Sequence, residues 1–191
     1  TYIQIDSKNT ELIDYCKDKK IPLISIRAEL INKKLSQYQS SPSITIKREI
    51  KIISSKLTPI INQIAKTSRF YKDLNFRPYA FKLYDTWIKK SVSGQKKYPF
   101  FLSFEKDKIT GLLTLKYDDD KLFIDLFGVD KKSRKKGIGT ALLQTAISWA
   151  FEHKFKSLSV STQKENSNAI SVYTKTGFTC YKELYQYHLW I

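Results

Sequence analysis

Cysteine and histidine are scarce in this 191-residue chain, with two of each. Cys16 and Cys180 lie far apart and in no CxxC spacing, which excludes a disulfide framework; two thiols in a reducing cytoplasm are the expectation. His153 and His188 are too isolated to hold a metal, so none is expected. Long apolar runs are absent too. No stretch approaches the roughly 20 residues that a bilayer-crossing helix requires. Thr1-Tyr2-Ile3-Gln4 has neither the charged start nor the apolar core of a signal peptide. A cytoplasmic protein without a membrane span is therefore expected. Acidic residues are few, 18 against 34 Lys and Arg, for a formal charge of +16. An excess of that size suits nucleic acid, an anionic membrane surface or an anionic substrate. The lysines are scattered rather than gathered into a block, however, and Ile, Asn and Tyr are abundant as well. A compositionally biased genome gives that pattern, and nucleic acid is not the expected partner.

What is present describes a globular chain, 41% hydrophobic and 14% aromatic. Its length suits one domain, with room for a small attached subdomain. Residues 1–43 read as that subdomain plus a linker. Glu11 to Lys20 has a helical pattern with Leu12, Ile13 and Cys16 on one side. Pro22 to Leu30 alternates as a half-buried strand, with Ile24, Ile26, Ala28 and Leu30 apolar. Asn32 to Ser43 is polar and reads as the linker.

Residues 44–191 read as the main domain. Ile44–Ile53 suggests a strand, and Thr58-Pro59 a helix start with a hydroxyl cap and Pro in the first turn. After an aromatic and basic connection over 68–78, Tyr79–Val92 returns to helical spacing, stopped by Gly94. Three β segments follow (Tyr98–Phe104, Ile109–Lys116, Lys121–Val129), joined by polar turns that include Asp118-Asp-Asp120. From residue 131 the pattern changes to helix (about 138–153), strand (Ser157–Thr162), helix (about 167–175), Gly177 and a last strand (Phe178–Leu189). The expected fold is an α/β (α+β) protein, a mixed and mostly antiparallel sheet flanked by helices.

Chemistry concentrates where the strand ending Phe127-Gly128-Val129 runs into Arg134-Lys135-Lys136-Gly137-Ile138-Gly139-Thr140 and a helix begins. Glycines there let a ligand approach the backbone. The first helical turn offers unpaired N–H groups and the positive end of the dipole, which suit a phosphate. Arg134, Lys135 and Lys136 add charge. A pyrophosphate-like anion is the expected ligand. The loop is neither a Walker loop nor a Rossmann GxGxxG turn.

Arg134-x-x-Gly137-x-Gly139 resembles the [Q/R]xxGx[G/A] pattern of the Gcn5-related N-acetyltransferase (GNAT) family. Asn166-Ser-Asn-Ala169-Ile170-Ser-Val-Tyr173-Thr-Lys-Thr-Gly177-Phe178 resembles the same family's NxxAixxYxxxGF segment. The likeness covers about residues 50–191. It implies a GNAT fold and acetyl-CoA as co-substrate, its pyrophosphate on the backbone of residues 134–140. It further implies Asn166 on the pantetheine arm, amides of Phe127, Gly128 and Val129 at the acetyl carbonyl, and Tyr173 as the acid that protonates the leaving thiolate. Asp125, in the middle of an apolar strand, is the carboxylate candidate for a base. A structural ion pair at Asp125 and deprotonation by water remain open.

A narrower likeness bears on the acceptor. Ser68-Arg69-Phe70, Tyr84-x-x-Trp87-Ile88, Val160-Ser-Thr162-Gln163 and Tyr187-His-Leu-Trp190 are similar to the TDP-fucosamine acetyltransferase group, whose members acetylate the 4-amine of a TDP-linked 4-amino-4,6-dideoxy sugar. The triple-Asp turn and the more basic loop depart from that group. The likeness implies a nucleotide-sugar acceptor and surface polysaccharide biosynthesis. Arg69 would meet the acceptor's phosphates, Phe70 and Trp87 its rings, and Gln163 a hydroxyl or amide. Core roles for Phe70 and Trp87 stay open. So do a protein N-terminal or lysine acetyltransferase, a non-catalytic acyl-CoA or nucleic-acid module, and a homodimer formed through the C-terminal strands.

Overall fold

The computed structural model describes residues 1–39, 43–49, 54–92, 99–118 and 121–190. The Gly94 stop and most of the triple-Asp turn lie outside them, as do the end of the 44–53 strand and part of the linker. Eight strands form one sheet: β1 (Tyr2–Asp6), β2 (Leu23–Asn32), β3 (Thr45–Glu49), β4 (Phe100–Glu105), β5 (Lys108–Asp118), β6 (Lys121–Val129), β7 (Leu158–Gln163) and β8 (Thr179–His188). Their spatial order is β1-β8-β2-β7-β6-β5-β4-β3. Only β6 and β7 pair in parallel; every other pair is antiparallel. The helices are α1 (Thr10–Asp18), α2 (Thr58–Lys66), α3 (Arg69–Lys72), α4 (Arg77–Val92), α5 (Ile138–Glu152) and α6 (Ser167–Lys175).

Alternating side chains of the central strands divide the core in two. Phe100, Leu102 and Leu112 pack under α2 and α4 with Ile60, Ile61, Tyr84 and Ile88. Phe101, Leu113 and Leu115 face α5, against Leu142, Ala146 and Ile147. In α4 the buried Ala80, Tyr84 and Ile88 recur every fourth residue, the spacing that keeps one helix face inward. Each such fully buried aliphatic side chain contributes about 1.5–3 kcal/mol relative to exposure.

Local departures from the sequence reading have identifiable causes. In β2 the buried residues are Ser25, Ala28, Leu30 and Asn32, whereas Ile24, at a register shift between Leu23 and Ser25, and Ile26 are only partly buried. In α1, Ile13 and Cys16 are buried but Leu12 is exposed. Thr58 does not cap α2: a 3-10 turn over Ser54–Leu57 leads straight in, and the cap position is Leu57. Ser68 instead caps the short α3, its Oγ accepting from the Tyr71 amide. The polar stretch after β2 is docked rather than loose. Leu35 and Tyr38 pack on the α5 core, and the Tyr38 amide donates to Ser148 Oγ. Asn32, read as the first linker residue, is 1% exposed, and its Nδ2 donates to the Thr176 carbonyl at the end of α6.

The sequence reading makes residues 1–43 a small attached subdomain plus linker. Here β1 and β2 are strands of the common sheet, one on each side of β8. Because β8 has a neighbour on both edges, no second chain can pair with it edge to edge. Among the described residues no helix is long and apolar enough to cross a membrane.

Candidate active site

A bulge opens the site. Thr114 pairs with Leu126 but Leu115 pairs with Ile124, which leaves Asp125 as the extra residue of β6. Before it, Leu122 and Ile124 face α5; after it, Leu126 faces α2 and α4. A bulge reverses the inside–outside alternation in this way and bends the strand that carries it. The parallel pairing of β6 with β7 ends at Ile124 and Val160, although β6 runs on to Val129 and β7 to Gln163. From Asp125 onward β6 is paired only on its β5 side, and a cleft of about 530 Å³ lies where the two strands part.

The start of α5 lies next to the cleft rather than in its lining: a Cβ on Gly139 would sit 3.4 Å from Phe127 Cζ, and Phe127 lines the cleft, whereas residues 134–140 do not. Gly137 sits at the cap position with φ +79°, a left-handed conformation that costs a side-chain-bearing residue about 1–2 kcal/mol. Lys135 shares that region at φ +62°. The first amides of α5, at Ile138, Gly139 and Thr140, have no carbonyl one turn earlier within the helix and project from its start. The Ile138 side chain is 7% exposed and belongs to the core, so only its backbone is available to a ligand. Arg134 is engaged structurally, its Nε on the Val129 carbonyl at 3.2 Å and its Nη2 on Gln63 Oε1 at 3.0 Å. Gln63 in turn donates to Asp130, which also receives Lys108 Nζ at 2.6 Å. These bonds, the one from Lys108 first, hold the Asp130 carboxyl below its ordinary range despite burial. Lys136 Nζ meets Glu105 at 3.1 Å on the surface. The cationic loop is thus braced against α2 and β5, with Lys135 exposed.

Deep in the cleft, Tyr173 is 3% exposed, its ring 5.8 Å from Phe127 and 5.6 Å from Phe178. Burial pushes its hydroxyl well above the usual tyrosine range. Asn166 lines the cleft but also caps α6, with Oδ1 on the Ala169 amide at 3.4 Å. Gly177, at φ +88° just past α6, ends that helix in the left-handed conformation common at helix ends. Gly128 faces away from the cleft: a Cβ there would sit 2.8 Å from Ile64 Cγ1, so its small size serves the β6–α2 packing.

One end of the cleft carries the residues read as acceptor-facing. Arg69, Phe70, Trp87 and Gln163 all line the cleft, together with Asp125 and Tyr173. Asp125 is in an ion pair: Trp87 Nε1 donates to Oδ2 at 2.9 Å and Lys116 Nζ lies 3.3 Å from Oδ1. Arg27, Lys116 and Ser161 were missed in the sequence and also line the cleft. Arg27 and Ser161 sit on the polar faces of alternating strands, and nothing in their spacing marks them.

A buried tie braces this end. His188 Nδ1 donates to Asp73 Oδ2, the only direction an ionised carboxylate allows. Trp190 Nε1 donates to the same oxygen at 3.0 Å, and the Asn75 amide to Oδ1 at 2.9 Å. Burial opposes ionisation of Asp73, but these hydrogen bonds outweigh it and hold the carboxyl below its usual range. A depressed carboxyl contributes stability that is present above its unfolded pKa, about 4, and lost as pH falls through the folded value. Asp73→Asn is therefore expected to lower stability by roughly 1–3 kcal/mol at neutral pH. Melting curves from pH 7 to 3 should show the variant losing less on acidification than the natural chain; parallel losses would refute the assignment.

Comparison with known proteins gives the family and the fold. Residues 62–178 match the Acetyltransferase (GNAT) family, and the chain belongs to that family. It is 27% identical over 124 residues to the spore coat polysaccharide biosynthesis protein SpsD of Bacillus subtilis, covering 64% of this chain and 43% of that protein. It is 32% identical to the streptothricin acetyltransferase A of the same organism, over 53% of this chain and 60% of that one. N-alpha-acetyltransferase 30 of Xenopus laevis is 32% identical over 47% of this chain and 34% of its own length. The chain thus spans less than two thirds of each of these relatives. A GCN5-related N-acetyltransferase from Sphaerobacter thermophilus shares the fold at a TM-score of 0.65 and 13% identity, over 98% of this chain and 59% of that one. A functionally unknown conserved protein from Staphylococcus epidermidis does so at 0.66 and 13%, over 97% and 71%.

Proposed function

We propose that this chain transfers an acetyl group from acetyl-CoA directly to the 4-amine of a nucleotide-linked, dTDP-type 4-amino-4,6-dideoxy sugar. The observation that carries it is the parting of β6 and β7 at Asp125, which opens one cleft reaching both Tyr173 and the aromatic, cationic wall of Arg69, Phe70 and Trp87. The start of α5, with Gly137 in the left-handed region, fits the pyrophosphate of the co-substrate: no side chain bars the backbone and the helix N–H groups point outward. When bound, acetyl-CoA supplies a thioester carbonyl.

Backbone amides of the one-sided strand segment Phe127–Val129 polarise that carbonyl, a contact of a few kcal/mol in such sites. The acceptor nitrogen forms the new C–N bond and the C–S bond breaks. Tyr173 gives its proton to the departing sulfur; burial raises its pKa, so the hydroxyl is protonated at neutral pH. The proton of the amine leaves through Asp125 or through water. Asn166 orients the pantetheine arm from the cap of α6. For the acceptor, support comes from the polysaccharide role in the name of SpsD and from the rings of Phe70 and Trp87, which line the same cleft as Gln163.

Thiol release from acetyl-CoA tests the reading, with TDP- and UDP-linked amino sugars as acceptors and N-terminal and lysine peptides as controls. Turnover is expected with a 4-amino-6-deoxy sugar nucleotide. Activity confined to the peptides would overturn the sugar acceptor and leave acetyl transfer standing.

A further inference from the structure

Cationic side chains along the cleft have carboxylate partners, with one exception. Lys116 faces Asp125, and Arg27 Nη2 lies 2.9 Å from Glu29. Among the described residues no carboxylate comes within ion-pair distance of Arg69. Its guanidinium is clasped between two rings, 4.1 Å from the centroid of Tyr2 and 4.4 Å from that of Phe70. Nη1 donates to the Tyr2 hydroxyl at 2.8 Å, while Nε is buried with no acceptor. Desolvation, and after it the nearby charge of Arg27, press Arg69 below its ordinary pKa, with Tyr2 acting the other way. Withdrawing a cation from water without a counter-charge is unfavourable, and the charge of Arg27 adds to it.

A buried brace holds Arg69 in that state. Ser25 Oγ on β2 donates to Gln186 Oε1 on β8 at 2.7 Å, and Gln186 Nε2 donates to the Tyr2 oxygen on β1 at 2.8 Å. Gln186 is fully buried and Ser25 nearly so. Three strands thus cooperate to fix the one phenol oxygen on which Arg69 rests. Arg27 stands across the strand pair from Gln163, whose Oε1 is likewise buried without a donor. The three orphaned atoms of this end, Nε of Arg27, Nε of Arg69 and Oε1 of Gln163, all belong to residues that line the cleft.

We propose that Arg69 and Arg27 form an anion seat at the acceptor end of the cleft, taking the phosphate oxygens of a phosphate-linked acceptor, with Tyr2 and Gln186 as positioning residues. This rests on the reading of the cleft as an acyl-transfer site. A phosphate or diphosphate offers oxygens to two guanidinium forks at once, whereas a lone carboxylate is satisfied by one. Gln163 beside the seat accepts from a hydroxyl or ring N–H of the same molecule. The seat explains how one cleft admits a phosphate-linked amine in preference to the bare amine: the anion anchors at Arg69 while the nitrogen lies toward Asp125.

The test uses the full chain with CoA at saturation, so that the α5 loop is filled, and inorganic pyrophosphate as the calorimetric probe. Arg69→Ala should weaken pyrophosphate about 10- to 100-fold, as expected for lost hydrogen bonds to a charged group. Arg69→Lys and Arg27→Gln should weaken it less. Tyr2→Phe, which removes one hydroxyl and keeps the ring, should weaken it several-fold and guards against a misfolded alanine variant. CoA affinity should stay constant throughout. Pyrophosphate binding unchanged in both Arg69→Lys and Tyr2→Phe overturns the seat, and malonate binding as tightly as pyrophosphate overturns its phosphate assignment. The two readings fail separately. Arg69-dependent pyrophosphate binding with no sugar-nucleotide turnover keeps the seat and rejects the sugar; sugar-nucleotide turnover with an acceptor KM indifferent to Arg69→Ala does the reverse.

Discussion

Tyr173→Phe should bind acetyl-CoA within about twofold of the natural chain and turn over at least ~100-fold more slowly, since a positioned general acid typically contributes 10²–10⁴. The substitution deletes one oxygen. The ring stays between Phe127 and Phe178, and no hydrogen bond of the hydroxyl is found among the described residues, so the fold has little to lose. The pH profile sharpens the prediction. An acid works only while protonated, and burial raises this hydroxyl above its ordinary value of 10. No alkaline loss of kcat attributable to Tyr173 should therefore appear below about pH 10. Stopped-flow thiol detection gives kcat, and equilibrium titration with acetyl-CoA gives the affinity. Unimpaired turnover would remove Tyr173 from the chemistry and leave it as a core aromatic.

Gly137→Val should lower acetyl-CoA affinity by two orders of magnitude or more while leaving a folded protein. Space inside the molecule is not what forbids a side chain here, because a Cβ at Gly137 would meet only Ile44 Cδ1, at 3.7 Å. Two other effects do. The backbone is at φ +79°, which a β-branched residue adopts at a cost of a kcal/mol or more, and the new methyls would stand over the amides that open α5. Gly139→Ala is the informative companion. Its Cβ would lie 3.4 Å from Phe127 Cζ, and its backbone has no left-handed requirement, so a smaller loss is expected. Calorimetric titration with acetyl-CoA checks both. Natural affinity in Gly137→Val would show that the loop is not the pyrophosphate site.

Much of this was legible in the sequence because the informative residues were local. Arg134, Gly137 and Gly139 announce a backbone turn that must occur within a few residues of a helix start, and Asn166 to Phe178 encode a helix together with its cap and its stop. Polar turns between β segments likewise placed β4, β5 and β6. The phase flip at Asp125 was not visible, because a bulge is a property of two paired strands and leaves no mark on one of them. Arg27, Tyr2, Gln186 and Lys116 escaped for a related reason. Each looks like an ordinary polar position on a strand, and only the neighbouring of β1, β8 and β2 brings Tyr2, Gln186 and Ser25 into one relay. Ile138 divides its two parts: its side chain faces the core, which leaves the backbone for the contact that the motif implies.

The strand order at one edge of the sheet has a consequence for how the molecule comes into being. β8 slots between β1 and β2, with Tyr2 opposite His188 and Ile26 opposite Tyr185. Until β8 has been made, β1 has no partner in the sheet and β2 has only β7. The α5 loop can form from segments near it in sequence, but Arg69 cannot be clasped by Tyr2 until β8 has joined β1 to the sheet. Pairings so distant in sequence are slow to form. A nascent chain should therefore acquire its co-substrate end first and its acceptor end last, and deleting β8 should unmake the second while sparing most of the residues of the first.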